Sequence, residues 1–390
     1  MIYLDHSATT RPLPQAVEAV RRALVERWGN PSSLHRMGLE AERLVQEART
    51  LLAEALGVDA GEVVFTSGAT EANNLALWGV ARNRRDPHVV VSAVEHSSVL
   101  EVAHRMREGG VQVDVVPVDR EGFLRCDVLE ELVGPGTSLV SVMLVNNEVG
   151  TIQPLAEVVR ILDHVETRSG RRPLLHVDAV QGLFKVEVRP RIQRFDLVSL
   201  SGHKVGGPKG IGALYVRKGV RLAPLLAGGD QERGLRPGTE NVPGIAGFGA
   251  AVRVQLGTWR QDAERMRSLR DLLRELLSDL PDVVWNTPDH DIAPHILNFA
   301  VSGVRGEVLV HRLEQEGVYV STGSACHSRK ARPSHVLLAM GRTEEEAMSS
   351  VRVSLGPQTS EDEVRAAAEA IRRAVEDLRP QPVRRGAWRK

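Results

Sequence analysis

Short apolar runs alternate with helical patterns along the first two thirds of the chain. The runs at residues 62–66, 89–92 and 138–144 are rich in valine and leucine, which predicts buried strands. Between them, segments such as 14–27 and 155–167 place apolar residues three and four positions apart, the spacing of one helix face. Strands that alternate with helices predict an α/β fold with a mostly parallel sheet.

The same patterns locate the other elements of this region. Further strands are predicted at 111–116, 174–177, 196–199 and 211–216, and further helices at 39–56, 98–108 and 127–133. Glycine-rich and asparagine-rich segments separate them, as at 29–33 and 67–74. No internal repeat is evident.

The last third of the chain has a different pattern. Residues 242–280 predict one long helix with a possible kink, and Pro281, Pro288 and Pro294 interrupt the segment after it. Strands predicted at 283–285, 295–300, 318–321 and 351–354 then mix with helices at 307–316, 334–340 and 361–378. We therefore expect two domains, a large one at 15–255 and a smaller α+β domain formed by 1–14 and 256–390. The tail at 379–390 is rich in arginine and proline and is predicted to be disordered.

Composition narrows the classes of function. The chain has 390 residues, 42% hydrophobic and 26% charged, which is typical of a globular protein. Lys plus Arg and Asp plus Glu are both 50, so no overall positive charge attracts nucleic acid. No apolar stretch is long enough to span a bilayer, and no signal peptide is visible, so we expect no membrane partner. Only two cysteines occur, which favours a reducing, cytoplasmic location.

Polar residues come directly after several of the predicted strands. In α/β sheets, ligands bind at the carboxyl ends of the strands. The residues found just after an apolar run are Thr70, Glu95 with His96, Asn146 to Glu148, Asp178 with Gln181, and Ser201 with His203 and Lys204. Because such ends meet at one edge of a parallel sheet, these residues predict a single site.

Lys204 and Asp178 indicate the chemistry of that site. A lysine at a glycine-rich strand end can be desolvated and can attack a carbonyl, although an isolated lysine in such a loop is usually just exposed. A Schiff-base lysine with an Asp beside it is the combination that pyridoxal 5'-phosphate requires. Gln181, one helical turn after Asp178, could reach the ring hydroxyl, and His96 could stack on the ring.

The phosphate of such a cofactor has its own candidates. Thr70, Ser201 and His203 could hold it, since the strand, turn and helix start at 62–74 form a typical anion site. Taken singly, each residue has a commoner explanation: Thr70 or Asp178 as a helix cap and His96 as a structural histidine. Neither explanation accounts for the occurrence of these residues together with Lys204.

Nine stretches in order resemble one family, the cysteine desulfurases. They are YLDHSATT at 3–10, GNPS at 29–32, FTSGATE at 65–71, VNNEVG at 145–150, HVDAVQ at 176–181, SLSGHK at 199–204, GLRPGTEN at 234–241, STGSAC at 321–326 and VRVSLG at 351–356. These are pyridoxal-phosphate enzymes of the class V aminotransferase group, with the transferase fold type I. The resemblance covers nearly the whole chain.

The resemblance implies roles for individual residues. Lys204 would anchor the cofactor and shuttle protons, with His96 assisting. Asp178 and Gln181 would tune the ring, and Thr70, Ser201 and His203 would bind phosphate. Thr239 would reach in from the partner subunit of a homodimer, and Asn147 and Arg352 would orient the substrate, L-cysteine. Without the resemblance, Arg352 would be interpreted as a surface arginine.

Cys326 decides the outcome of the reaction that the resemblance implies. Its surroundings at 322–333 predict an exposed, mobile loop, and His327, Arg329 and Lys330 favour a thiolate. In the family, the matching cysteine takes the substrate's sulfur as a persulfide and leaves L-alanine. The spacing to Pro333 resembles the long-loop group, which delivers sulfur to an acceptor protein such as an iron–sulfur scaffold or a tRNA-thiolation relay.

Three other functions stay open at this point. Selenocysteine lyases share the fold, an aminotransferase would not need the cysteine loop, and a non-catalytic scaffold derived from the fold would not need Lys204. No metal site is expected, because Cys326, His327 and His335 lack the ligand density of a zinc site. Asp230 and Pro237 depart from the family pattern, and their effect cannot be predicted from the sequence.

Overall fold

The structure is a computed structural model that describes residues 1–323 and 332–379. Its strands are β1 (Ile2–Tyr3), β2 (Val63–Thr66), β3 (His88–Ser92), β4 (Gln112–Val116), β5 (Thr137–Ser141), β6 (Leu174–Asp178), β7 (Leu197–Ser201), β8 (Gly212–Val216), β9 (Val283–Trp285), β10 (Ile296–Val301), β11 (Val318–Tyr319) and β12 (Ser350–Ser354). Its helices are α1 (Pro14–Val25), α2 (Arg36–Leu56), α3 (Ala69–Ala81), α4 (Ser97–Glu108), α5 (Cys126–Leu132), α6 (Leu155–Ser169), α7 (Pro190–Gln193), α8 (Val242–Leu276), α9 (Gly306–Gln315), α10 (His335–Ala339), α11 (Glu344–Met348) and α12 (Glu361–Leu378).

Seven strands form the main sheet, in the order β2-β8-β7-β6-β5-β3-β4. Strand β8 runs antiparallel to both of its neighbours, and the other pairings are parallel. The prediction of an α/β fold with a mostly parallel sheet is therefore confirmed. The parallel arrangement places the carboxyl ends of β5, β6 and β7 side by side at one edge.

Apolar side chains cover both faces of this sheet. Phe65, Val90 and Val140 belong to a cluster that includes α2, α6 and the first half of α8, whereas Val64 and Val91 belong to a cluster with α3 and α4. Strands buried on both faces are near-continuous apolar runs, which is why the sequence pattern located them well.

A second, three-stranded antiparallel sheet has the order β12-β10-β9 and its own apolar cluster. Helices α9 and α12 and the second half of α8 pack on it, so α8 joins the two clusters. The start of the chain belongs to this region, because β1 pairs in parallel with β11 and Asp5 bridges to Ser354. Beyond Asp5 the chain crosses toward the carboxyl edge of the main sheet.

Three predicted boundaries were wrong in detail. The strand predicted at 138–144 ends at Ser141, because the Met143 amide donates to the Glu95 carboxylate (2.6 Å) instead of continuing the ladder. The strand predicted at 318–321 ends at Tyr319, and the helix predicted at 242–280 ends at Leu276. Helix α11 was missed, although Thr343 and Glu346 form a capping box at its start.

Within residues 1–323 and 332–379, no helix is both long enough and apolar enough to cross a membrane.

Candidate active site

One cavity of about 450 Å³ lies at the carboxyl ends of β5, β6 and β7, beside the first turns of α3 and α4. Nine of the eleven predicted site residues line it: Thr70, His96, Asn147, Asp178, Gln181, Ser201, His203, Lys204 and Arg352. Eight of them follow strands of the main sheet or begin its helices, and Arg352 comes from β12 of the second sheet. The fold therefore brings together residues that are far apart in the sequence.

Asp178 is the last residue of β6 and is only 6% exposed. Its Oδ2 accepts a hydrogen bond from Asn73 Nδ2 (2.8 Å), and its Oδ1 accepts one from the Val180 amide (3.0 Å). Asn73 Nδ2 also lies 2.8 Å from Ser98 Oγ, so α3, α4 and β6 meet there. Sequence reasoning gave Asn73 no role, although an asparagine inside an apolar helix was the available signal. The two bonds fix the direction of the Asp178 carboxylate.

His96 caps the start of α4. Its Nδ1 accepts the Ser98 amide (3.1 Å) and lies 2.8 Å from Ser98 Oγ. A ring nitrogen that accepts an amide hydrogen bond carries no proton, so the proton of the neutral ring is on Nε2. The cap therefore sets both the tautomer of His96 and the direction of its ring at the cavity wall.

Lys204 ends a single turn of 3₁₀ helix that directly follows β7. Its Nζ donates to the backbone oxygens of Ser7 (2.5 Å) and Ala8 (2.8 Å). The N-terminal segment thus closes over the lysine from the side of the second sheet. Ser7 and Ala8 also line the cavity, and sequence reasoning missed them because they contribute mainly backbone atoms.

The first turn of α3 forms the anion-binding end of the cavity. Ser67, Gly68, Ala69 and Thr70 line it, and helix amides before Ala72 have no carbonyl partner within the helix. Gly212 of β8 makes this turn possible, since a side chain there would lie 2.6 Å from the Leu200 oxygen and 2.7 Å from Gly68. Free amides at a helix start bind phosphate well.

His203 stands at the same end of the cavity. Its Nδ1 lies 3.1 Å from Thr9 Oγ1. Burial, together with the charges of Lys204 and Lys209, lowers its pKa to about 4. His203 is therefore a neutral imidazole near pH 7, available to share a proton with an anion. Lys209 lines the cavity too and was not predicted.

Arg352 supplies a positive charge on the side of the cavity opposite the strand ends. Its Nη2 forms an ion pair with Asp5 Oδ1 (2.8 Å), and its Nη1 donates to the Asn147 carbonyl (2.8 Å). Its Nε is buried without a hydrogen-bond partner. Arg352 is thus a buried cation held by the chain after β1 and by the chain after β5, not the surface arginine that its strand position alone would favour. Asp5 was not predicted.

Glu95 lies behind the strand ends and is fully buried. Burial raises its pKa well above the ordinary value, and the nearby charge of Asp178 raises it further. Its Oε1 accepts the Met143 amide, and its backbone oxygen accepts His335 Nε2 (3.0 Å). Through these two contacts Glu95 supports the segment carrying His96.

A second hollow of about 270 Å³ opens beside His96. Asn147, Glu148, Gly323 and the residues from Arg332 to His335 line it with His96. Ser334 Oγ donates to Glu148 Oε2 (2.5 Å), which ties the start of α10 to the main sheet. Gly323 also lines the first cavity, so the described chain on both sides of 324–331 borders the site.

Another hollow, of about 590 Å³, lies away from these residues, and Asp230 lines it. Arg49 and Glu232 form a buried, two-bonded ion pair there (2.6 and 2.8 Å), and Glu232 also accepts the Phe65 amide. Glu232 and Arg233 have left-handed backbone (φ 44° and 59°), which is strained for such residues. Neither Lys204 nor His96, the two predicted catalytic residues that the structure describes, lines this hollow.

Two predicted residues are not among those that line the cavity. Thr239 is exposed in this chain, and its predicted role is in a partner subunit. Cys326, with its neighbours His327, Arg329 and Lys330, lies outside the described residues. Both assignments stay predictions.

The cavity joins an amine, a carboxylate, two imidazoles and a guanidinium with a helix start suited to phosphate. Such a set can hold a phosphorylated aromatic aldehyde and an amino acid together. Ser7 Oγ and Arg352 Nε, both at this site, are buried without hydrogen-bond partners, which fits a polar ligand.

Comparison with known proteins places this chain in one family. The aminotransferase class-V family model matches residues 2–366. A protein named cysteine desulfurase IscS from Dictyoglomus turgidum is 41% identical over 381 residues, covering 97% of this chain and 95% of that protein.

Two solved structures have the same fold. One, titled a NifS-like protein, superposes with a TM-score of 0.90 at 38% identity and covers 97% of this chain and all of the other. A second, titled SspA in complex with cysteine, has a TM-score of 0.80 at 31% identity and covers 92% of this chain and all of the other. The prediction of transferase fold type I is confirmed.

Proposed function

The chain belongs to the aminotransferase class-V family, and on this premise we propose that it is a pyridoxal-phosphate-dependent cysteine desulfurase. The enzyme converts L-cysteine to L-alanine and carries the sulfur on Cys326 as a persulfide. The observation that carries this proposal is the meeting of Lys204, Asp178 and Arg352 in one cavity. They are the amine, the carboxylate and the guanidinium that the cofactor and an amino-acid substrate require.

Pyridoxal phosphate fits the residues of the cavity. Lys204 would hold its aldehyde carbon, and the Asp178 carboxylate would pair with its ring nitrogen. Thr70, Ser201, His203 and the start of α3 would hold its phosphate. When bound, the cofactor accepts the electrons released at the substrate's α carbon.

Lys204 and His96 move protons in this proposal. Lys204 Nζ would take the proton of the substrate's α carbon. The backbone oxygens of Ser7 and Ala8, at 2.5 and 2.8 Å, stabilise the ammonium that forms. His96, protonated at Nε2, offers a second proton donor at the same wall.

Arg352 and Asn147 orient the substrate. A guanidinium binds a carboxylate through two parallel hydrogen bonds, and Asp5 and the Asn147 carbonyl already fix the plane of Arg352. One structural relative is titled as a complex with cysteine, which supports L-cysteine as the amino acid bound here.

Cys326 takes the sulfur. Its thiolate attacks the substrate's sulfur, and a bond forms between the two sulfur atoms. The bond from the substrate's β carbon to its sulfur breaks, its electron pair stays with the β carbon, and that carbon takes up a proton to become the methyl group of alanine. Gly323 lines the cavity, and Arg332 lines the adjoining hollow together with His96, which supports the assignment of Cys326 to this reaction. The acceptor of the persulfide is an iron–sulfur scaffold or a tRNA-thiolation relay, on the family's long-loop pattern.

We also propose the assembly and organisation that the sequence indicates. Two chains form a homodimer in which Thr239 completes the partner's phosphate site. The large domain is 15–255, and 1–14 with 256–390 form the smaller one; separate apolar clusters in the two regions support this division. Two cysteines in 390 residues favour a reducing cytoplasm as the location of the enzyme.

The test begins with purified protein loaded with pyridoxal phosphate. Its visible absorption band is recorded, then cysteine and a reductant are added, and alanine and sulfide are measured. Lys204→Ala should lose the band, while Cys326→Ser should keep the band and lose alanine production. Cys126→Ser is the matched control and should keep both, because burial, together with the charges of Glu157 and Asp127, raises the Cys126 pKa to about 11.

Each contrary result has a clear meaning. Normal alanine release by Cys326→Ser would exclude its role, and an unchanged band in Lys204→Ala would exclude the cofactor assignment. Release of selenide from selenocysteine without sulfide from cysteine would indicate a selenocysteine lyase. Amino transfer to a 2-oxo acid would indicate an aminotransferase, and failure to bind the cofactor a non-catalytic scaffold.

A further inference from the structure

A buried group of polar side chains lies directly behind the cavity. His6, Lys185 and His295 form it around Gln181, the one member that lines the cavity. His295 is 1% exposed and comes from the chain just before β10. Nothing in the proposed reaction uses it.

The hydrogen bonds of Gln181 fix the orientation of its amide. Gln181 Nε2 lies 3.0 Å from the Ser7 backbone oxygen, and Oε1 lies 3.3 Å from His295 Nε2. A carbonyl oxygen only accepts, so the amide nitrogen must face Ser7 and the amide oxygen must face His295. The reverse orientation would set two acceptors against each other at Ser7.

This orientation determines the tautomer of His295. Because Gln181 Oε1 only accepts, His295 Nε2 must carry the proton and donate it. His295 Nδ1 is buried with no hydrogen-bond partner, as expected for the unprotonated nitrogen. Burial lowers the pKa of His295 well below its ordinary value, and the charges of Lys185, His6, Arg352 and Arg270 lower it further, so the ring is neutral.

We propose that His295 is a positioning residue that holds the Gln181 amide so that its N–H group is offered to the cavity. Gln181 Oε1 is turned toward His295, and one Nε2 hydrogen is donated to Ser7. The second Nε2 hydrogen is then the donor that this amide offers to a ligand. It suits an acceptor, such as the ring oxygen of pyridoxal phosphate, and this inference rests on the proposed function.

The same contacts link the amide to the catalytic lysine. The Ser7 oxygen accepts from both Gln181 Nε2 and Lys204 Nζ. Without the imidazole, Gln181 Oε1 would be a buried acceptor lacking its partner, and the amide could turn. His295 therefore acts on the cofactor through Gln181, without touching it.

The experiment compares His295→Met, which removes the donor, with His295→Gln, which restores an N–H near the Nε2 position. Each variant is also made in a Gln181→Met background. The readouts are the midpoint of the pH titration of the cofactor's visible band, and kcat and KM for cysteine. A donor to the ring oxygen stabilises negative charge there, so its loss raises the midpoint.

We expect His295→Met to raise that midpoint by about one pH unit and to lower kcat about tenfold. His295→Gln should recover at least half of both changes. In the Gln181→Met background, His295→Met should add nothing, because the pair acts as a unit. If His295→Met does not fold, His295→Asn replaces it, since its shorter amide falls short of the Nε2 position.

The inference is overturned if His295→Met keeps the wild-type midpoint, or if His295→Gln changes the midpoint and kcat as much as His295→Met does. It is also overturned if His295→Met still shifts the midpoint in the Gln181→Met background. A wild-type protein without a visible band would overturn the proposed function and this inference together. An active wild type with an unresponsive midpoint would overturn this inference alone.

Discussion

Two walls of the same cavity are held in different ways. The strand-end wall, formed by His96, Asp178 and Lys204, is fixed by hydrogen bonds to amides and backbone oxygens around the carboxyl edge of the main sheet. The opposite wall, formed by Asp5, Asn147 and Arg352, is fixed by an ion pair between residues 347 positions apart. One wall depends mainly on the sheet and its helices, and the other exists only when distant segments meet.

This difference separates the two tasks of the site. The strand-end wall faces the proposed cofactor, whose ring must be held in one place through the whole reaction. The opposite wall faces the proposed substrate, which must enter and leave, and a charged pair can exchange partners with an incoming carboxylate. Substitutions in the first wall should therefore act on kcat, and substitutions in the second on KM.

Asp178→Asn should have the largest effect. An amide cannot hold a proton on the ring nitrogen as a carboxylate does, so kcat should fall on the order of 10²- to 10³-fold. KM for cysteine should change little. Asn73→Ala is the matched control, since it removes one hydrogen bond to the same carboxylate and should cost about tenfold. Steady-state alanine release measures both, and a full kcat in Asp178→Asn would contradict the electrostatic role of this wall.

Arg352→Lys should have an intermediate effect. Lysine keeps the charge but lacks the planar fork that binds a carboxylate and Asp5 together, so KM should rise roughly ten- to a hundredfold. The kcat should stay within a few-fold of wild type. Asp5→Asn is the companion variant, in which Arg352 keeps an acceptor and loses only the paired charge, so KM should change less. A fall in kcat with unchanged KM would contradict the division between the walls.

The sequence predicted the strand-end wall because its residues follow buried apolar runs. A parallel sheet brings such ends together whatever the rest of the chain does, so Asp178, Ser201 and Lys204 could be grouped from pattern alone. The strands themselves were predictable for the same reason, being buried on both faces. The boundary error at Ser141 arose from the Glu95 carboxylate, a long-range contact that no local pattern contains.

In the opposite wall, Asn147 could be predicted from its position after a strand, whereas Arg352 was predicted only through family resemblance. Arg352 lies in an ordinary strand pattern, and its partner Asp5 precedes it by almost the whole chain. Ser7 contributes a backbone oxygen, which leaves no mark in a sequence, and His295 acts through Gln181. Side-chain chemistry can be inferred from residue types, whereas contacts between distant segments depend on the tertiary structure.

The smallest expected effect is a loss of folding stability at low pH, caused by a buried histidine next to the strand-end wall. His176 lies two residues before Asp178 and joins three strands, with Nδ1 2.8 Å from Ser141 Oγ and Nε2 2.9 Å from Ser199 Oγ. Burial lowers its pKa to about 3, from an ordinary value of 6.5. Below pH 6.5 the unfolded chain therefore binds more protons than the folded one, and stability falls as the pH falls toward 3.

When the pH falls from 7 to 5, His176 alone should lower the free energy of unfolding by about 2 kcal/mol, which corresponds to a decrease of about 2 to 4 °C in Tm. His176→Gln keeps a donor toward Ser199 and does not titrate, so the gap between its Tm and that of wild type should narrow at pH 5. Other buried histidines, such as His203, titrate equally in both proteins and cancel in this difference. If Tm falls equally between pH 7 and pH 5 in wild type and in His176→Gln, the hydrogen bonds of neutral His176 do not stabilise this wall.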